Sequence, residues 1–200
     1  MPSYLDTDPR RDRILQAALV LCLERNPESV TIQQIRGLSG ASTGSIYHHF
    51  RDKQGLFFEL FLTATRNYHA TVLEAVEFAT GPRAFVRAVV RSHLDWMTEH
   101  TSLARFMQSA RRSELVRGDE PDVKEQHRDF VDAVCQHLAP WVDAEQIRRL
   151  PCDMTMAVML GPMEHYTAEW LMGRTLTEPS QAFGLLSEAA WEALRVVPSI

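Results

Sequence analysis

The stretch Thr31–Phe57, TIQQIRGLSGASTGSIYHHFRDKQGLF, constrains the fold more than any other part of this 200-residue chain. Thr31, with Gln34 three positions on, is a capping box that starts a helix. Ile32, Ile35 and Leu38 recur at helical spacing and are expected to face a core. Ser39-Gly40-Ala41 follows as a turn, with Gly40 suited to a left-handed backbone. Ser42 caps a second short helix ending near Phe50, and Asp52 caps a third. Two short helices around a tight turn form the layout that seats its second helix in the major groove of DNA.

On a wheel of about 100° per residue, Ile46 and Phe50 of the second helix point together toward the protein. Gly44 and His48 fall nearly opposite, flanked by Ser45 and Tyr47. Gly44 lets the backbone approach a base edge, while Thr43 and Ser45 can hydrogen-bond bases. Tyr47 and His48 can reach phosphates. Thr31 and Ser42 sit at helix N-termini, where free N–H groups attract a phosphate. Lys53 is poorly placed for its own helix dipole and is expected to point at the DNA backbone. Arg10, Arg11 and Arg13 suggest a basic arm. Adjacent His48 and His49 diverge on a helix and make a poor metal pair.

Helical spacing continues through the rest of the chain, and no strand pattern survives. The reading is all-α, with about nine or ten helices. Helix 1 spans about Pro9–Arg25, capped by Asp8, with Ile14, Ala18, Leu21 and Cys22 buried and Asn26-Pro27 as its stop. Helix 4 runs to about Thr80, before Gly81-Pro82. Helix 5 covers about Pro82–Glu99 and helix 6 about Ser102–Val116, followed by a loop from Gly118 to Pro121. Helix 7 covers about Asp122–Leu138 and is broken by Pro140. Asp143 and Gln146 suggest a capping box for a short helix ending at Leu150. Helix 8 spans about Pro151–Met172, with a kink or late start expected at Pro162, and helix 9 about Pro179–Val196. Two domains follow: residues 1–57 as a helix-turn-helix DNA-binding domain, and 58–200 as a helical ligand-binding and dimerisation domain.

Charge supports that division. The net charge is −5, but residues 1–57 carry +1 and residues 58–200 carry −6. A near-neutral head can bind phosphates while an acidic body stays off the DNA. Three cysteines, Cys22, Cys135 and Cys152, lack metal spacing, and their odd number suits a reducing compartment. No signal-peptide run and no stretch of about 18 apolar residues occurs, so the expectation is a cytoplasmic protein without a membrane partner. No paired carboxylates, phosphate loop or nucleophile motif suggests an enzyme, and no cofactor or metal is called for.

Ile14-Leu15-x-Ala17-Ala18, Thr31-Ile32-x-x-Ile35, Gly40-x-Ser42-x-Gly44-Ser45-Ile46-Tyr47-x-His49-Phe50 and Lys53-x-x-Leu56-Phe57 closely resemble the N-terminal signature of TetR-family transcriptional regulators. The resemblance covers roughly residues 10–60. It departs at Asn26-Pro27, where the family usually has Gly, and at Arg36 and Ser39, where it usually has Ala. It implies a homodimeric repressor on a palindromic double-stranded DNA operator, released by a small-molecule inducer. It also implies that the last two long helices pair with their copies in a second chain.

The body offers material for both roles. Helix 8 is apolar nearly all round, with one stripe of Met156, Met159, Leu160, Met163, Tyr166 and Trp170, so both sides need covering. Met156 and Leu160, with Phe183, Leu186, Ala190 and Leu194 of helix 9, are the candidate dimer seam. His93, Trp96, Met97, Phe106, Met107, Phe130, Met163, Tyr166 and Trp170 are the candidate lining of a pocket for a largely apolar or aromatic ligand. An alternative is a redox- or metal-responsive regulator in which Cys135 and Cys152 meet, with His137 nearby.

Overall fold

The structure is a computed structural model that describes residues 8–25, 27–113 and 120–197. Nine α-helices occur among the described residues: α1 (Pro9–Glu24), α2 (Ile32–Ser39), α3 (Thr43–Phe50), α4 (Lys53–Val76), α5 (Pro82–Glu99), α6 (Thr101–Arg112), α7 (Pro121–Asp143), α8 (Cys152–Leu171) and α9 (Pro179–Leu194). A 3-10 turn, Pro27–Ser29, precedes α2. The extended pairing described is a single bridge between Ile147 and Arg195. The all-helical reading holds.

The helices fall into two compact units. Met1–Asn67 with His100–Lys124 forms one, and Tyr68–Glu99 with Glu125–Ile200 the other. They do not divide at residue 57: α6 and the first part of α4 group with the head. In the first unit α1 packs on α2, α3 and α6. Its core holds Ile14, Leu15, Ile35, Ile46, Phe50, Leu56 and Phe57, all nearly inaccessible. Each such side chain stabilises by roughly 1.5–3 kcal/mol when fully buried. In the second unit α5 packs on α8 and α9, and α8 on α9.

Most boundaries follow the start and stop signals, and the exceptions have local causes. Leu38, in the last turn of α2, is outward and 54% exposed rather than facing the core, and the helix ends one residue later. On α1, Leu21 and Cys22 are only half-buried, and the sealed positions are Ile14, Leu15, Ala17 and Ala18. Pro140 does not break α7, which continues to Asp143. A proline inside a helix removes one donor, and the turn it caps can persist when the flanking hydrogen bonds and packing hold. The short helix expected to end at Leu150 is absent. Instead Glu145 takes a positive φ of 55°, and the chain extends to the Ile147–Arg195 bridge. α8 likewise runs through Pro162, whose ring faces outward. The expected end of helix 1 at Asn26, helix 6 beyond Ser113 to Val116, and the start of the following loop at Gly118 lie outside the described residues. Among the described residues no helix is long and apolar enough to cross a membrane.

Candidate nucleic-acid interface and body cluster

The head presents α3 through a series of local caps. The Thr31 hydroxyl accepts from the Gln34 N–H at 3.3 Å, and the Gln34 side-chain carbonyl accepts from the Thr31 N–H at 2.8 Å. Gly40 ends α2 at φ 67°, a left-handed conformation that favours a residue without Cβ. Ser42 then caps α3, its hydroxyl accepting from the Ser45 N–H at 3.1 Å. α3 is anchored by Ile46 and Phe50, at 0% and 3% exposure. The opposite side is open: Ser42, Thr43, Gly44, Tyr47 and His48 are exposed, and Ser45 is half-buried. The wheel placed these residues as found, and Thr43, in the first turn, also reaches outward.

Beside this ridge lies an open cleft of about 550 Å³ lined by Asp8, Arg10, Ser42, Gly44, Ser45, His48 and His49. Its acidic member was not anticipated. Asp8 caps α1 by accepting from the Arg10 N–H at 2.9 Å, and its other oxygen lies 3.7 Å from His49 Nε2. The Arg10 backbone hydrogen bond first, then the Arg11 N–H and the His49 charge, hold this carboxyl below the usual carboxylate range. The N-cap signature at Asp8 was legible; its pairing with α3 was not, because the contact joins residues 41 positions apart.

Two basic residues expected at the DNA are engaged inside the head. Lys53 does not point outward as expected: its ammonium donates to the Glu28 carbonyl at 2.6 Å and the Val30 carbonyl at 2.9 Å, tying the 3-10 turn to the start of α4. Carbonyls at the end of a helical turn lack intrahelical donors, so a nearby ammonium satisfies them. Arg11 donates to Glu59 at 2.6 Å and lies over the Phe50 ring, leaving Arg10 and Arg13 as the exposed pair of the proposed arm. Thr31 is exposed at the start of α2.

In the second unit the expected ligand residues divide. His93, Trp96, Phe130 and Met163 are buried, with Met97 half-buried. Phe106 and Met107 are buried in the first unit, where the Phe106 ring meets Phe57 at 6.2 Å. Tyr166 and Trp170 reach the α8–α9 connection: the Tyr166 hydroxyl donates to the Thr177 carbonyl at 2.6 Å, and the Trp170 indole donates to Glu178 at 3.3 Å. Burial, and then the Glu178 charge, raise the Tyr166 phenol above its ordinary pKa. A cleft of about 500 Å³ in this unit, lined by Gly81, Pro82, Arg83, Trp191 and Arg195 among others, includes none of the nine expected residues.

The centre of the unit is polar at one point. The Tyr68 hydroxyl lies 2.8 Å from His93 Nδ1, and His93 Nε2 lies 3.1 Å from the Thr167 hydroxyl oxygen. That hydroxyl already donates to the Met163 carbonyl at 2.8 Å, so toward His93 it accepts. His93 therefore carries its proton on Nε2, and Nδ1 accepts from Tyr68. Burial pushes the imidazole down to about 4, so it stays neutral. The Tyr68 ring also meets Trp96 at 5.4 Å and Phe130 at 6.2 Å. His93 was legible as a polar position in an apolar stripe. Its partner Tyr68 was not, because nothing in the α4 pattern distinguishes it.

The candidate dimer residues are mostly covered by their own unit. Met156, Leu160, Phe183, Ala190 and Leu194 are buried, and Leu186 is half-buried. The apolar surface left open on these helices belongs to other residues: Met154 at 49%, Leu185 at 77%, and exposed Ala157, Pro162 and Ala189. Periodicity shows that α8 has two apolar sides but not which one its own chain occupies. Cys135 and Cys152 do meet, joined as a disulfide with Cα atoms 6.2 Å apart. His137 stays apart, its Nδ1 bonded to the Ala133 carbonyl. Among the described residues no group of three or more His, Cys, Asp or Glu could hold a metal.

Comparison with known proteins bears on this head and on the fold. A family model described as bacterial regulatory proteins of the tetR family matches residues 14–60. The repressor KstR2 of Mycolicibacterium smegmatis is 25% identical over 155 residues, 73% of this chain and 76% of its own. Other curated relatives match over about half of their length or less. Among solved structures, the fatty acid degradation regulator FadR of Bacillus halodurans superposes with a TM-score of 0.79 at 15% identity, covering 94% of this chain and 97% of that one. FadR of Bacillus subtilis, solved in complex with stearoyl-CoA, gives 0.78 at 16% identity, covering 89% and 96%. The head thus carries, over residues 14–60, the signature sequence of the tetR family of bacterial regulatory proteins, and the chain shares the fold of these regulators over nearly its whole length.

Proposed function

We propose that the protein is a homodimeric, ligand-responsive repressor that reads a palindromic operator with the exposed side of α3. The observation that carries the reading is the division of one short helix into a sealed side, Ile46 and Phe50, and an open ridge of Thr43, Gly44, Tyr47 and His48. Gly44 and the two hydroxyls suit base edges; Tyr47, His48 and the free N–H groups behind Ser42 suit phosphates. Arg10 and Arg13 add exposed positive charge on α1. Lys53 and Arg11 act instead by holding the head in shape. The second copy covers the open apolar strip of α8 and α9 around Met154, Ala157 and Leu185.

The ligand reading rests on the Met- and aromatic-rich interior of the body around the Tyr68–His93–Thr167 cluster. A ligand with a long apolar segment, such as the chain of a long-chain acyl thioester, suits that interior. Support for this class comes from the stearoyl-CoA complex of the B. subtilis regulator of like fold. The test is fluorescence anisotropy with labelled duplexes tiled across the upstream region of the protein's own gene. Expected are salt-sensitive, saturable binding to one palindromic duplex and its release by stearoyl-CoA. Equal affinity for every duplex overturns the operator reading. Specific binding that no acyl thioester releases overturns the ligand class alone.

A further inference from the structure

The disulfide pair is the chemistry of the body that operator and ligand binding leave unused. Cys135 lies within α7, Cys152 is the first residue of α8, and 17 positions separate them. Their Cα separation of 6.2 Å is within the ordinary range for a bridge. Each sulfur also lies 3.9 Å from a backbone carbonyl of the facing segment, Cys135 Sγ from that of Cys152 and Cys152 Sγ from that of Val131. Both side chains are half-buried, so a small oxidant can reach them while the two stay in register. A protein that works on DNA sits among reducing thiols, where paired cysteines are mostly transient or redox-sensing rather than permanent staples.

We propose that Cys135 and Cys152 form a reversible, peroxide-oxidised dithiol that ties α7 to the first turn of α8. The inference takes only its compartment from the function proposed above. Cys152 is the attacking residue, because the free N–H groups of the first turn of α8 favour a thiolate there. Asp153, in the same turn, opposes this weakly, being exposed and bonded to the Met154 N–H. The Cys152 thiolate attacks one peroxide oxygen, the O–O bond breaks, and the leaving hydroxide takes a proton to become water. The resulting sulfenic acid is attacked by the Cys135 sulfur. The S–S bond forms, the S–O bond breaks, and a second water leaves with the Cys135 proton. Two electrons pass from the two sulfurs to the peroxide, and two equivalents of a small thiol restore the dithiol by exchange. Cys22, on α1, is a built-in control: burial pushes its thiol up to about 12, so it stays protonated and unreactive.

The test is a thiol count on the intact protein. Reduced protein is exposed to one equivalent of hydrogen peroxide, denatured, alkylated and weighed, and its peptides are mapped. Three alkylated thiols before oxidation and one after, at Cys22, with a linked Cys135–Cys152 peptide in monomeric chains, support the proposal. So does full recovery with dithiothreitol. In Cys135→Ser a dimedone adduct forms at Cys152, and in Cys152→Ser none forms at Cys135. Oxidation raises the melting temperature of the parent by several degrees and leaves both serine variants unchanged. Three thiols persisting in the parent, or bridges formed between chains, overturn it. None of these readings uses DNA or acyl thioester, so failure here is separate from failure of the repressor reading.

Discussion

His93 offers a measurement whose size follows from its surroundings. Its imidazole accepts from Tyr68 on one side, donates to Thr167 on the other and is almost wholly buried. Burial lowers it from 6.5 to about 4. Between those values the unfolded chain binds the proton and the folded chain does not. Stability is thus fully present above about pH 6.5 and falls as the pH drops through the window toward 4. From pH 7 to pH 5 the loss from this one group is about 2 kcal/mol. All four tryptophans, Trp96, Trp141, Trp170 and Trp191, lie in the second unit, so their fluorescence during urea unfolding reports that unit. The comparison is with His93→Gln, which keeps hydrogen-bonding groups but does not titrate. Carboxylates contribute equally to both proteins and cancel in the difference. The expected result is a parent that loses about 2 kcal/mol more than the variant over the two pH units. Parallel pH dependence, or a His93 resonance titrating at or above 6.5, refutes the assignment of a buried neutral imidazole.

The remaining predictions concern the head and the proposed partner face. Tyr47→Ala should weaken operator binding by about 1.5–3 kcal/mol, the worth of one charge-assisted hydrogen bond, in anisotropy titrations, with the urea midpoint unchanged. Lys53→Ala should instead lower the stability of the head by about 2 kcal/mol, because two carbonyls lose a charged donor; a variant as stable as the parent removes that role. Gly55→Ala should destabilise the same unit by about 1–3 kcal/mol by circular dichroism, since a Cβ there falls on the Phe50 carbonyl. Leu185→Glu should yield folded monomers by sedimentation, whereas a dimer of unchanged affinity moves the interface off this strip.

What the sequence determined is what is written locally. The caps at Asp8, Thr31, Ser42 and Asp52 and the left-handed Gly40 set the head's helices nearly residue by residue. The wheel of α3 separated its sealed and open sides because both lie within eight residues. Local rules misled where longer-range structure prevailed: α7 passes through Pro140, and the segment after Asp143 pairs with Arg195 instead of forming a helix.

Tertiary structure decided everything that depends on which surfaces meet. It turned Lys53 inward onto two carbonyls that the sequence places more than twenty positions away, and it set Asp8 against His49. It chose which apolar side of α8 the chain covers itself, burying Met156 and Leu160 and leaving Met154 open. It also brought Tyr68, His93 and Thr167 from three helices into one buried cluster. Periodicity fixes the angle of a side chain about its own helix axis, but a partner is set by the packing of that helix against others, which no single segment encodes.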